Sequence, residues 1–136
     1  MDQGPLVIEA IDAGAELVRR LDKYVPVQAA FWVKDSEEGQ WYLYIASDQI
    51  SDQIDDKNLD VAYGEVLRLA GQMASPYLDP FQVKLIPTSD SLAQAALDIH
   101  RRYLGRMATR FGGKNFGGMG VDGVYIYPAS VTTLTP

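Results

Sequence analysis

The chain has 136 residues, no cysteine and one histidine, His100. Disulfides and thiolate metal sites are excluded, and any nucleophile–base pair has a single imidazole to draw on. The net charge of −6 is uneven: residues 1–99 carry seven Lys and Arg against seventeen Asp and Glu, a net of −10, while residues 100–136 carry five against one, a net of +4.

In chain order, the first expected element is an amphipathic helix over 5–23, with Val7, Ile11, Gly14, Val18 and Leu21 on one stripe. Glu9 and Asp12 sit early and Arg19, Arg20 and Lys23 late, which complements the helix dipole. Residues 27–34 and 40–46 then alternate around the polar turn Asp35–Gly39 and predict a β-hairpin. Ser47–Ile54 is a tandem tetrapeptide repeat, read as a short helix or ordered loop. A second helix is expected over 59–74, with Val61, Val66, Leu69, Ala70 and Met73 inward, and Ser75-Pro76 stops it. A short strand follows from Phe81 to Ile86. The third helix opens on Ser91-Leu92-Ala93-Gln94, which fits a capping box, and Asp98 and Arg102 are spaced to pair. Two last strands, 106–111 and 121–127, flank a glycine-rich connection from Gly112 to Gly120.

The expected fold is α+β, in the order α-β-β-α-β-α-β-β. It has a mixed, mainly antiparallel five-stranded sheet with three helices on one face, in a single domain over 1–128 with a tail at 129–136.

Several familiar strings fail on context. Gly118-Met119-Gly120-Val121-Asp122-Gly123 matches the dinucleotide fingerprint, but a strand rather than a helix should follow it. Asp56-Lys57-Asn58-Leu59-Asp60 begins like a calcium loop, yet Val61 replaces the required glycine and Leu67 the closing glutamate. Asp79 with Gln82-Val83-Lys84 is a metal-nuclease pattern without its middle carboxylate. No metal site and no cofactor are expected.

Two sets of residues remain as candidates. Trp32, Tyr42, Tyr44, Tyr125 and Tyr127 would, if they share one side of the sheet, make an aromatic face opposite an aliphatic one. Tyrosine and tryptophan pair an apolar body with a polar tip and suit interfaces. The leading expectation is therefore an interaction module, forming a homodimer or binding a protein partner through that face. The alternative is an enzyme or ligand-binding protein acting on a small anionic or phosphorylated compound. Arg106, Arg110 and Lys114 of the glycine-rich flap would supply charge there, with His100 or Asp122 as acid–base group. The acidic total speaks against nucleic acid. No apolar run approaches the ~20 residues needed to span a bilayer, so no membrane partner is expected. The acidic N-terminus lacks signal-peptide character, and with the absence of cysteine the expected location is cytoplasmic.

Overall fold

The computed structural model describes residues 6–50, 57–103, 109–111 and 115–128. The second copy of the repeat, the tail from Ala129 and the stretches holding Arg106 and Lys114 lie outside them.

Among the described residues there are three helices, α1 (Ile8–Leu21), α2 (Lys57–Met73) and α3 (Ser91–Tyr103). The strands are β1 (Ala29–Asp35), β2 (Trp41–Ser47), β3 (Val83–Pro87), β4 (Thr109–Phe111), β5 (Asn115–Phe116) and β6 (Met119–Ile126). The main sheet runs β3-β2-β1-β6-β4, with β5 folded onto the start of β6. Its ladders are antiparallel except β2–β3, which is parallel. A parallel pair needs a crossover, and α2 supplies it. The α+β class, the mixed five-stranded order and the succession of elements are as the sequence indicates.

The placement of the helices is not. They do not share one face: α1 and α2 cover one side of the sheet and α3 the other. Leu17, Val18 and Leu21 of α1 and Val66 and Leu69 of α2 pack with Trp32, Leu43, Ile45, Val83 and Leu85. Leu92, Ala93 and Ala96 of α3 pack with Phe31, Val33, Val124 and Ile126. The reason is in β1, where every residue from Ala29 to Val33 is buried, so each face of that strand needs a cover. Each of the fully buried aliphatic side chains adds roughly 2 kcal/mol of hydrophobic stabilisation.

The helix stripes are also rotated from those expected. In α1 the buried set is Ala10, Ala13, Gly14, Leu17, Val18 and Leu21, while Val7 is exposed. Small residues on that face let the helix backbone come close to the large rings on the sheet. In α2, Ala62 is buried and Val61 faces solvent. In α3, Asp90 rather than Ser91 is the cap: its carboxylate accepts from the Leu92 N–H at 2.9 Å, and its carbonyl accepts from the Gln94 N–H. Gln94 reaches back as expected, but it donates to the Thr88 carbonyl. The Asp98–Arg102 pair forms at 3.0 Å.

Two local features shape the sheet ends. Gly117 and Gly118 turn β5 into β6 with φ of +58° and +87°, the left-handed pair that a two-residue hairpin requires. A Cβ at Gly117 would also strike the Ser91 carbonyl at 2.8 Å, so the turn sits against the start of α3. On β6, Val33 faces Val124, Lys34 faces Gly123 and Asp35 faces Val121, which leaves Asp122 as the extra residue of a bulge. The fingerprint-like string therefore lies in a turn and a strand.

Candidate functional site

Register decides where the five aromatic candidates go. Trp32 pairs with Leu43 and with Tyr125, while Tyr44 pairs with Phe31 and Tyr42 with Val33. Side chains of paired residues share a face. Trp32, Tyr125 and Tyr127 therefore lie under α1 and α2, and Tyr42 and Tyr44 lie on the α3 side. The single aromatic face expected from the alternation is not formed.

Trp32 and Tyr127 of the first group are internal, and Tyr125 is partly buried beside them. Trp32 is 1% exposed and Tyr127 2%. The Trp32 Nε1–H donates to the Tyr127 hydroxyl at 2.9 Å, and that hydroxyl donates to the Ile11 carbonyl of α1 at 2.5 Å. Burial pushes the Tyr127 phenol well above its usual range. The ring of Tyr125 meets that of Tyr127 edge-on, with centroids 5.2 Å apart. On the other side, the half-buried His100 places Nε2 2.9 Å from the Tyr127 carbonyl, and the Tyr127 N–H donates to the Ala30 carbonyl at 3.0 Å. Tyr127 thus links α1, β1 and α3. Its hydroxyl and the His100 ring are both engaged in holding the layers together.

The second group is at the surface. α3 covers β1 and β6 but leaves the outer part of the sheet half open, and there Tyr42, Tyr44 and Ile86 are partly exposed. The Tyr44 ring stacks on Phe31, with centroids 5.5 Å apart and planes 12° from parallel. Burial raises its phenol pKa, with Asp35, Asp90 and Glu38 adding to the effect through their negative charge. The Tyr42 hydroxyl lies 2.5 Å from a Glu38 carboxylate oxygen and 2.9 Å from Gln40 Oε1. Its one proton goes to the carboxylate, the stronger acceptor. That hydrogen bond is the main reason the Tyr42 phenol is pushed up to about 12. Lys84 Nζ sits 5.1 Å from the centre of the Tyr42 ring, a cation–π contact.

Lys84 also borders a groove of about 280 Å³ on the outer side of β3, lined by Tyr63, Val66 and Leu67 of α2 and by Pro80, Phe81 and Val83. Phe81 is 79% exposed and Leu67 52%. Phe81 sits in a 3₁₀ turn, Pro80–Gln82, capped by the Asp79 carboxylate, which accepts from the Phe81 N–H at 2.9 Å. Asp79 therefore serves as a turn cap. The apolar run Phe81–Ile86 predicts a strand from its first residue, but Phe81 lies in the turn and the strand starts at Val83. The signal that would have found the turn is Asp-Pro at its cap and first position. Tyr42, Tyr44, Lys84, Phe81 and Leu67 together make one surface around the β3 edge.

That edge is blocked to strand addition on its donor side. The Val83 N–H bonds the Pro80 carbonyl, and the Leu85 N–H donates to the Tyr63 hydroxyl at 2.9 Å. Pro87, two residues on and so facing the same way, has no N–H to offer.

Of the expected anion set, Arg106, Lys114 and the side chain of Arg110 lie outside the described residues. Asp122 is exposed on its bulge. Among the described residues, no group of three or more His, Asp or Glu is placed to hold a metal ion. No described helix is long and apolar enough to cross a membrane. No protein-family model matches the chain, nor does any curated protein or solved structure.

Proposed function

We propose that the chain is an interaction module that pairs with a second copy of itself, and that the contact surface is the one running around the β3 edge. The observation that carries this reading is Phe81, held outward by its capped turn at 79% exposure beside an apolar groove. A large ring so exposed next to other apolar side chains is characteristic of a surface that is covered by a partner. The half-open tyrosines Tyr42 and Tyr44 extend it, with a polar margin from Glu38 and Asp90. Of the aromatic residues singled out by sequence, these two remain as contact residues, while Trp32 and Tyr127 lie in the core beneath α1 and Tyr125 is partly buried beside them.

A second copy is favoured as the partner by charge. The tyrosines are ringed by Asp35, Glu38 and Asp90, whereas α3 ends in the exposed Arg101 and Arg102 and leads into the segment of net positive charge. Charge pairs at the rim orient an association and speed it more than they strengthen it. Contact is by side chains, since the donors along β3 are already taken.

The test is molar mass by light scattering across the micromolar range, on the wild type, Phe81→Asp and Leu67→Asp, with circular dichroism as a check on the fold. The expected result is a wild-type dimer and folded, monomeric variants. A monomeric wild type, or variants that remain dimeric, would overturn the proposal. A wild-type monomer that binds a lysine-rich peptide through Tyr42 would assign the surface to a basic partner instead.

A further inference from the structure

We infer that the cleft between α1 and α2 is a binding site for a small phosphorylated compound. It goes beyond the dimer proposal and uses none of the same residues. The cleft encloses about 600 Å³ and is lined chiefly by Arg19, Arg20, Lys23, Tyr24, Arg68 and Gln72. Its walls carry four cationic side chains against two carboxylates, Glu16 and Asp22. This is a local excess of positive charge on a chain of net charge −6, and it lies within the acidic part of the sequence. A charge profile along the sequence does not show it, because Arg68 comes from a different helix.

The cations are held in position. Glu16 accepts from Arg20 Nε at 2.8 Å and from a terminal nitrogen of Arg19 at 2.9 Å. These two hydrogen bonds hold the Glu16 carboxyl below its ordinary pKa. A guanidinium has five N–H donors, so one shared carboxylate orients the two arginines without exhausting them. Arg68 is fixed from two sides, by Glu65 at 2.6 Å and by the Tyr24 ring, whose centre is 5.2 Å from its guanidinium carbon. Asp22 is engaged elsewhere, accepting from the Val27 N–H at 2.8 Å. Lys23 is exposed and makes no ion pair among the described residues.

One effect opposes an anion here. The cleft lies at the C-terminal end of α1, where the helix dipole places about half a negative charge. With Glu65, the partner of Arg68, counted against the four cations, one net positive charge remains, and the dipole offsets about half of it. Glu16 and the dipole account for Arg19 and Arg20, and Glu65 and Tyr24 for Arg68, which leaves Lys23 as the lining cation with no ion pair among the described residues. Planar guanidinium forks match phosphate oxygens in pairs, and Lys23 adds a point charge at the mouth. The exposed Tyr24 ring gives a flat apolar surface beside them for the remainder of the ligand.

The test is a ¹⁵N–¹H correlation titration of the full chain with inorganic pyrophosphate at fixed ionic strength. Saturable shifts are expected at the amides of Lys23, Tyr24, Arg68 and Gln72. Lys23→Glu and Arg68→Ala are each expected to weaken binding at least tenfold with the fold unchanged by circular dichroism. Lys23→Glu is the safer variant, since its side chain is exposed. The proposal is overturned by shifts that do not saturate, by shifts confined to residues 106–114, or by unchanged affinity in the folded variants. None of these results depends on whether the chain dimerises.

Discussion

The hydroxyl of Tyr127 occupies the space that a Cβ would fill at Gly14. A side chain at residue 14 would overlap that oxygen and would meet Trp32 Nε1 at 3.1 Å. The glycine is thus what allows α1 to approach closely enough for the Trp32–Tyr127–Ile11 hydrogen-bond chain to form.

Gly14→Ala should therefore destabilise the protein, against the usual trend for a glycine within a helix. Alanine is favoured in a helix by about 1 kcal/mol, but overpacking at a close contact costs about 1–3 kcal/mol. A net loss of roughly 1 kcal/mol is expected in urea denaturation. Gly64 and Gly71 of α2 have no atom within 4 Å of a built Cβ. Gly64→Ala should stabilise by up to ~1 kcal/mol. Equal responses at residues 14 and 64 would show that the close contact with Tyr127 is not what requires a glycine.

Tyr127→Phe removes the acceptor for Trp32 Nε1 and the donor to the Ile11 carbonyl. An unsatisfied buried polar group costs about 1–3 kcal/mol, and that loss is expected. The substitution also removes the atom that a residue-14 Cβ would strike, so the two changes are coupled. In a double-mutant cycle, Gly14→Ala should cost less in the Tyr127→Phe background than in the wild type, by ~1 kcal/mol. An additive cycle would show that the two sites do not interact.

Alkaline pH gives a separate signature. Tyr42 is pushed up to about 12 and Tyr127 higher still, whereas a phenol in the unfolded chain titrates near ~10. Above that value the unfolded chain releases its protons first, so stability is complete below pH ~10 and falls as pH rises toward the folded-state values. The urea midpoint should be flat from neutral pH to about 10 and then decline, with a weaker decline in Tyr127→Phe. Absorbance of tyrosinate in the folded protein should show at least two groups titrating late. A midpoint that rose with alkaline pH would contradict the assigned hydrogen bonds.

The β3 edge offers a prediction about assembly. Tyr63→Phe frees the Leu85 N–H and should cost about 1 kcal/mol, with faster hydrogen exchange at Leu85. Adding Pro87→Val supplies a second outward donor, and an open strand edge is a template for further strands. The double variant should form β-rich oligomers that bind thioflavin at concentrations where the wild type does not. If it stays as soluble as the wild type, Tyr63 and Pro87 are not what guards this edge.

The elements were readable from periodicity and punctuation. The alternation in 27–34 and 40–46 gave the hairpin, and Pro76 and Pro87 marked the ends of α2 and β3. The side of the sheet each residue faces was harder to read. Alternation sorts a strand into two faces, but only the register Trp32↔Leu43 says which face of β1 meets which face of β2. A slip of one residue exchanges the faces, and that is the gap between one aromatic face and the observed division. A second clue was present in Ala29-Ala30-Phe31-Trp32-Val33, an unbroken apolar run, which marks a strand covered on both sides. The arginine cleft was not legible at all, since its cations come from helices about fifty residues apart in the chain and depend on tertiary packing.

The position of β6 beside the central strand β1 bears on how the protein is made. β1 is flanked by β2, about ten residues downstream, and by β6, about ninety residues downstream. A nascent chain emerging from the ribosome can close the hairpin early. The other edge of β1, including the apolar stretch from Ala29 to Val33, then waits for Met119–Ile126 to be synthesised. Pairings this distant in sequence slow folding, and an unpaired apolar edge is the part most exposed to misassembly meanwhile. Loss of β6 by premature termination would leave Trp32 without its hydrogen-bond acceptor and α3 without half of its floor, so a chain stopped before Met119 has no route to the native core.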